Sequence, residues 1–399
     1  MTHRILLGDC LETLKTLPDC SVQTCVTSPP YFGLRNYGTE TWEGGDPDCN
    51  HASAKEKSRY DYPMQEGSRH SEIAKTTKGT DGAKYVDVCP ACGAVKKDLQ
   101  IGLEQSPEEY IQKLVSVFRE VRRVLKDDGV LWLNLGDSFW GGKGQSGQAW
   151  STEHQDRDTL EQAHHQISGK GETRPTDGKH AIYKPKDLMM IPARVALALQ
   201  SDGWWLRSEI IWHKPNPMPE SVTDRPTKSH EMIYLLAKSQ YYFYDAEAIK
   251  EPTICDDPRE IQSGLIRGRL YGYDSKERKL RKNDSLNTGG NGSAIRNHNG
   301  NSLNTPDGKR NKRDVWTVPT KPYSGAHFAT FPPDLIGPCI LAGSRIGDTV
   351  LDPFNGSGTT GAVSIKHGRD YIGCELNPEY IELTMQRLAQ VQPVMGGLL

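Results

Sequence analysis

The sequence predicts a doubly wound, mostly parallel α/β sheet, and three observations carry that expectation. Near its start the chain reads ILLGDCLETLKTL, an apolar strand-length run, a turn and a helical run. Near its end, DTVLDPFNGSGTTGAVSIKHGRDYIGCELNPEYIELTMQRL repeats the alternation as strand, helix, strand, helix. Between the first strand and helix of that tail lies a glycine turn, the connection that lets backbone approach a ligand at a helix N-terminus.

The elements follow in order. After the first strand, Gly8-Asp9 makes the turn into a helix. SVQTCVTSPPY is a second strand that leaves through two prolines. Pro30 lacks an N–H and fixes its own φ, and each proline pushes its predecessor toward extended geometry. The segment can continue neither as a helix nor as a central strand, so Ser28 and Tyr31 are presented stiffly at a strand end. Residues 39–98 turn polar and read as an insertion. In SPEEYIQKLVSVFREVRRVLKDDG, Ser106 is placed as N-cap, Pro107 as the first helical residue, and Glu109 completes a capping box. The reading stops this helix at Asp128-Gly129 and starts a buried strand at VLWLNLGD. Residues 138–183 are Gly-, Gln- and His-rich, as in a long loop. LMMIPARVALALQSDG is then a helix, and WWLRSEIIWHKP and EMIYLLAKSQYYFY are strands.

Composition bounds the function. With 399 residues, 35% of them hydrophobic, the chain can bury a large core in one or two domains. The net charge of −2 gives no global nucleic-acid signature, so any basic surface is local. One such region exists: from Cys255 to Pro322 there are 14 Lys/Arg against 8 Asp/Glu, a net of +6. The opening residues hold no signal-peptide core and nowhere do about 18 apolar residues run together, which predicts a cytoplasmic protein without a membrane partner. Nine scattered cysteines, an odd number, argue against a disulfide framework.

Two motifs carry chemistry. LDPFNGSGTT sets Asp352, Gly356 and Gly358 between an apolar strand and a helix; Thr359-Thr360 follow, so it is not a phosphate loop of the Lys-Ser/Thr kind. About one strand later, Glu375 closes YIGCELN, the place where an acid holds a ribose diol in doubly wound nucleotide sites. Separately, Cys89-Pro-Ala-Cys92-Gly93 is a metal knuckle that needs two more soft ligands. Cys49 and His51 are the nearest, with His70 as a substitute, so Cys49, His51, Cys89 and Cys92 are the candidate ligands of a structural Zn²⁺.

Together, VTSPPY and DPFNGSGTT resemble the amino-group DNA methyltransferases that use S-adenosylmethionine. The catalytic motif comes first and the cofactor motif last, as in the circularly permuted β class, with a Rossmann-like fold. The resemblance covers residues 1–38, about 99–245 and about 322–399, flanking the zinc insertion (39–98) and a target-recognition region (246–321). It implies a cofactor loop of Asp352, Phe354, Gly356, Gly358 and Thr359, with Glu375 on the ribose. It also implies Asp9 on the adenine amino group and His327 and Phe331 beside the methionine moiety. Ser28, Pro29, Pro30 and Tyr31 become the catalytic loop. An exocyclic amino nitrogen is a poor nucleophile because its lone pair is delocalised. The Ser28 side chain and Pro29 carbonyl would accept its N–H groups, and Tyr31 would stack on the flipped base. Methylation at carbon-5 of cytosine would need a cysteine nucleophile, and the one Pro-Cys pair, Pro338-Cys339, falls in an apolar helix-like run. The expected substrate is double-stranded DNA, with cytosine N4 favoured by Ser28 and adenine N6 as the alternative. A catalytically inactive zinc-containing DNA-binding protein is the reading from another class. A cognate restriction endonuclease is a possible partner, and the chain would be a monomer or homodimer.

Overall fold

The computed structural model describes residues 1–34, 39, 41–49, 89, 91–104, 106–141, 180–252, 309–321 and 331–392. Two compact units emerge: Met1–Phe243 with Asp314–Leu399, and Tyr244–Arg313. In the second, a short 3₁₀ turn (Glu247–Ile249) leads to strand β8 (Glu251–Pro252), which pairs antiparallel with β9 (Lys309–Arg310). Glu251 Oε1 there accepts from Arg310 (2.9 Å) and Arg313 (2.6 Å).

The first unit is built on one sheet of eight strands. They are β1 (His3–Leu7), β2 (Val22–Thr27), β5 (Leu125–Leu135), β6 (Trp205–His213), β7 (His230–Ala237), β10 (Val315–Thr317), β11 (Thr349–Asp352) and β12 (Asp370–Glu375). Their order is β1-β12-β11-β2-β5-β7-β6-β10. Five of the seven pairings are parallel, and β7 is antiparallel to both of its neighbours. The sheet is therefore mixed and mostly parallel, as expected. Its centre, β2, is buried along its whole length, with Gln23, Thr24 and Thr27 as buried polar groups among Val22, Cys25 and Val26.

Helices cover the sheet: α1 (Cys10–Lys15), α2 (Pro107–Val124), α3 (Ile191–Ser201), α4 (Pro333–Gly343), α5 (Thr359–Lys366) and α6 (Pro378–Ala389). In α2 the Ser106 side chain accepts from Glu109 N (3.2 Å), and Tyr110, Leu114, Phe118 and Val121 turn one buried stripe to the core. Cys339 is 1% exposed inside α4, a core position. No helix among the described residues is long and apolar enough to cross a membrane.

One boundary differs from expectation. The second helix ends at Val124, and β5 already begins at Leu125 rather than after Gly129. Val22 pairs with Leu125 and Thr24 with Val130, so the polar Asp127-Asp128-Gly129 stretch bulges out of a strand already paired to β2. Asp128 O and Gly129 O accept from Phe243 N (2.8 Å) and Lys238 N (3.2 Å), which satisfies the bulge.

The topology contains a switch point. From β11 the chain moves to β12 on one side, and from β2 it moves to β5 on the other. The two strands are neighbours, so the winding direction reverses between them, and the carboxyl ends of strands at such a point form the usual crevice of an open α/β sheet. Two short strands outside the sheet, β3 (Thr41–Glu43) and β4 (Val95–Lys97), pair antiparallel within the 39–98 insertion.

Candidate active site

Both motifs arrive at that crevice. β2 delivers Ser28–Tyr31 and β11 delivers Asp352–Gly358, with Leu351 paired to Cys25. Thr27 Oγ1 donates to Asp352 Oδ1 at 2.6 Å, and Thr360 Oγ1 donates to Asp352 Oδ2 at 2.6 Å. Phe354 N adds a third bond to Oδ1 at 3.0 Å. Asp352 is 1% exposed, so this carboxylate is an internal brace between the two motifs and not a surface group. Burial pushes its pKa up to about 6, against the lowering effect of the three donors.

The glycine turn has the geometry its sequence implies. Gly356 and Gly358 adopt φ of +52° and +72°. A Cβ on Gly358 would lie 2.6 Å from Thr384 Cγ2, whereas one on Gly356 would meet only Phe354 O, at 3.9 Å, so Gly356 borders open space. Glu375 closes β12 beside it. Its Oε2 accepts from Gly356 N (2.7 Å) and its Oε1 from Asn377 N (2.9 Å), which leaves each oxygen further acceptor capacity. Burial raises its pKa to about 7. Gly8 N donates to Glu375 O at 2.9 Å, which sets the β1 end alongside and brings Asp9 to the same edge. Asp9 Oδ1 caps α1, accepting from Leu11 N (2.9 Å) and Glu12 N (3.1 Å). The Thr359 hydroxyl accepts from Arg387 Nη1 (2.8 Å). Phe331 is half-buried at the approach to α4. His327 lies outside the described residues, as do His51, His70 and most of the 246–321 region.

The proline loop is held from three sides. Tyr110 Oη donates to Pro30 O at 2.8 Å, so that carbonyl is occupied. Gly33 N donates to Gly102 O at 2.8 Å. The Tyr31 ring lies against Gly136, where a Cβ would come within 2.4 Å of its Cε2. Ser28 Oγ donates to Tyr31 Oη (3.3 Å), which donates to Glu231 Oε2 (2.7 Å), with Asn134 Oδ1 at 3.1 Å. Glu231 is 7% exposed and pairs with Lys214 Nζ. Burial and the Glu231 carboxylate hold the Tyr31 phenol well above its usual pKa, so it stays a donor.

Sequence reasoning missed Thr27, Thr360, Arg387, Gly136 and the Lys214–Glu231 pair. Glu231 left a signal, since it is an acid at the start of the otherwise apolar strand HEMIYLLA. Arg387 left none: it reads as an exposed helix residue, yet it donates to Ser357 O (3.1 Å), Ser357 Oγ (3.1 Å) and Thr359 Oγ1 (2.8 Å).

An open sheet with a rigid polar loop and a glycine turn at its switch point has the arrangement of an α/β ligand crevice. Comparison with known proteins makes this specific. Residues 22–386 match the DNA methylase family model N6_N4_Mtase. The chain is 37% identical over 381 residues to the Type II methyltransferase M.Cfr9I of Citrobacter freundii, covering 96% of this chain and 86% of that one. It is 36% identical over 388 residues to the Type II methyltransferase M.SmaI of Serratia marcescens, covering 96% and 90%. The solved PvuII DNA methyltransferase (cytosine-N4-specific) shares the fold at a TM-score of 0.50 and 14% identity, over 97% of this chain and 86% of that one. The chain belongs to the N6/N4 DNA methylase family.

Proposed function

We propose that the protein transfers a methyl group from S-adenosylmethionine to an exocyclic amino group of a flipped base in double-stranded DNA, with cytosine N4 as the favoured target. The observation that carries this reading is the Thr27–Asp352 hydrogen bond, which locks the loop of Ser28 to the turn of Gly356. The residues present fit the cofactor. Gly356 borders open space, and Glu375 offers a carboxylate with spare lone pairs to two ribose hydroxyls. Asp9, Phe331, Phe354, Gly358 and Thr359 surround the same turn in this reading. S-adenosylmethionine, when bound, supplies an electrophilic sulfonium methyl.

Everything else is done by the chain. Ser28 directs its proton to Tyr31, which keeps the oxygen lone pairs of Ser28 available to the amino N–H of the base. Tyr31 passes the polarisation on to the Glu231 carboxylate, and a chain of hydrogen bonds ending on a charge is stronger than its separate members. Because Pro30 O is held by Tyr110, the Pro29 carbonyl is the second acceptor in this reading. The amine is drawn toward tetrahedral geometry and its lone pair is freed. Most of the rate gain is positioning.

Ser28 in place of an acidic or amide residue supports cytosine N4 over adenine N6. That the relatives are named Type II methyltransferases supports a cognate restriction endonuclease as partner. The test is nucleoside mass spectrometry of duplex DNA incubated with protein and cofactor. N4-methylcytosine is expected. N6-methyladenine would move the reading to its alternative, and absence of both would overturn it.

A further inference from the structure

Away from the crevice, three thiols converge at the foot of the β3–β4 pair. Cys49, Cys89 and Cys92 place their sulfurs within 4.8 Å of one another, and Cys49 Sγ lies 3.9 Å from Cys89 Sγ. Tetrahedral geometry with metal–sulfur bonds of about 2.3 Å requires sulfurs about 3.8 Å apart. A disulfide requires about 2.05 Å, and none of the three cysteines is disulfide-bonded.

The surrounding backbone is shaped for thiolates. Cys89 N donates to Ala94 O (2.7 Å) and Gly93 N to Cys89 O (2.8 Å), with Gly93 at φ +76°, which folds the Cys89–Cys92 stretch into a tight knuckle. Backbone N–H groups of Ala94 and Asp46 point at Cys92 Sγ. Gly45 leaves room for that sulfur, since a Cβ there would lie 2.8 Å from it. Cys49 N is held by Asp46 O (3.1 Å), so the turn at Asp46 positions two of the three ligands.

We propose that Cys49, Cys89 and Cys92 bind one Zn²⁺ as a structural site. Each thiol releases its proton to solvent as its sulfur bonds the metal. The metal ties the β3 arm to β4. The segment after β4 then packs behind the proline loop, where a Cβ on Gly102 (φ +106°) would lie 3.1 Å from Tyr31 O. The site thus steadies the backing of Ser28–Tyr31 without touching a reactant.

The test is metal analysis of the full chain purified without chelator under reducing conditions. Roughly one zinc per chain is expected, falling below about a tenth in Cys89→Ser and Cys92→Ser and staying near one in the control Cys20→Ser. Should the serine variants fail to fold, cobalt exchange of the unaltered chain keeps the proposal open to refutation. Strong thiolate-to-cobalt charge-transfer bands with tetrahedral visible bands are expected. A chain that holds no stoichiometric metal after reconstitution with zinc, or that shows no thiolate charge transfer, overturns the site. None of these readouts depends on methyl transfer.

Discussion

Thr27 and Asp352, separated by 325 positions in sequence, are joined by a 2.6 Å hydrogen bond in the buried centre of the sheet. Each stands at the end of a strand, Thr27 just before Ser28 and Asp352 at the opening of the glycine-turn motif. The bond therefore sets the distance between the proline loop and the glycine turn, and its removal tests that coupling. Thr27→Val takes one donor from a buried carboxylate, a loss of about 1–3 kcal/mol. Urea unfolding should show that loss, and cofactor affinity and methyl transfer should fall together. A change in only one of them would mean the loops are set independently.

The same burial makes the unliganded protein sensitive to pH. Asp352 and Glu375 have folded pKa values raised to about 6 and about 7, above the ordinary carboxylate range. Between the unfolded and folded values the native state holds more protons. These groups therefore support stability at the acidic end and withdraw it as pH rises through 6 and 7. Unfolding free energies measured from pH 5 to pH 8 should decline by a few kcal/mol from this source. Glu375→Gln should flatten most of the slope. An unchanged slope in that variant would place the titration elsewhere.

The Tyr31 hydroxyl carries a prediction of its own. It sits between Ser28, Asn134 and Glu231. Tyr31→Phe keeps the ring but removes a bond to a charged acceptor and should slow methyl transfer about tenfold or more, by about 1.5–3 kcal/mol. Tyr31→Ala should slow it further. Gly136→Ala, whose Cβ would fall 2.4 Å from the ring, should mimic Tyr31→Ala while the fold survives. Single-turnover kinetics on the three variants give the ranking, and a Phe variant as active as the unaltered protein would contradict it.

Lys214 and Glu231 form a buried ion pair, with side chains 15% and 9% exposed. Removing one partner strands the other, at a cost of about 3–5 kcal/mol. Lys214→Met and Glu231→Gln should each destabilise strongly, and the double variant by less than their sum. Thermal unfolding of the full mutant cycle measures the coupling; strict additivity would show that the pair is not energetically linked.

The sheet and the conformations of its proline loop and glycine turn were legible because each depends on local chemistry. Paired prolines stiffen a strand exit wherever they occur, and Gly356 and Gly358 adopt the positive φ that the turn needs. What the sequence hides is which groups meet across the fold. Asp352 reads as a ligand-facing residue but is enclosed by Thr27 and Thr360, because the β11–β2 pairing that buries it joins opposite ends of the chain. Arg387 reads as a surface cation but grips Ser357 and Thr359 from a helix 28 positions on from Thr359. The polar Asp127–Gly129 stretch reads as a helix stop, while pairing to β2 on both sides of it makes it a bulge.

The most direct measurement is cofactor affinity and single-turnover methyl transfer to duplex DNA in Ser28→Ala, beside the unaltered chain. Affinity should hold within about twofold while the transfer rate drops by about 10²-fold or more, the loss of a positioned acceptor at the reacting amine. Transfer at the unaltered rate would contradict a site in which the proline loop holds the reacting amine beside a cofactor held at the glycine turn.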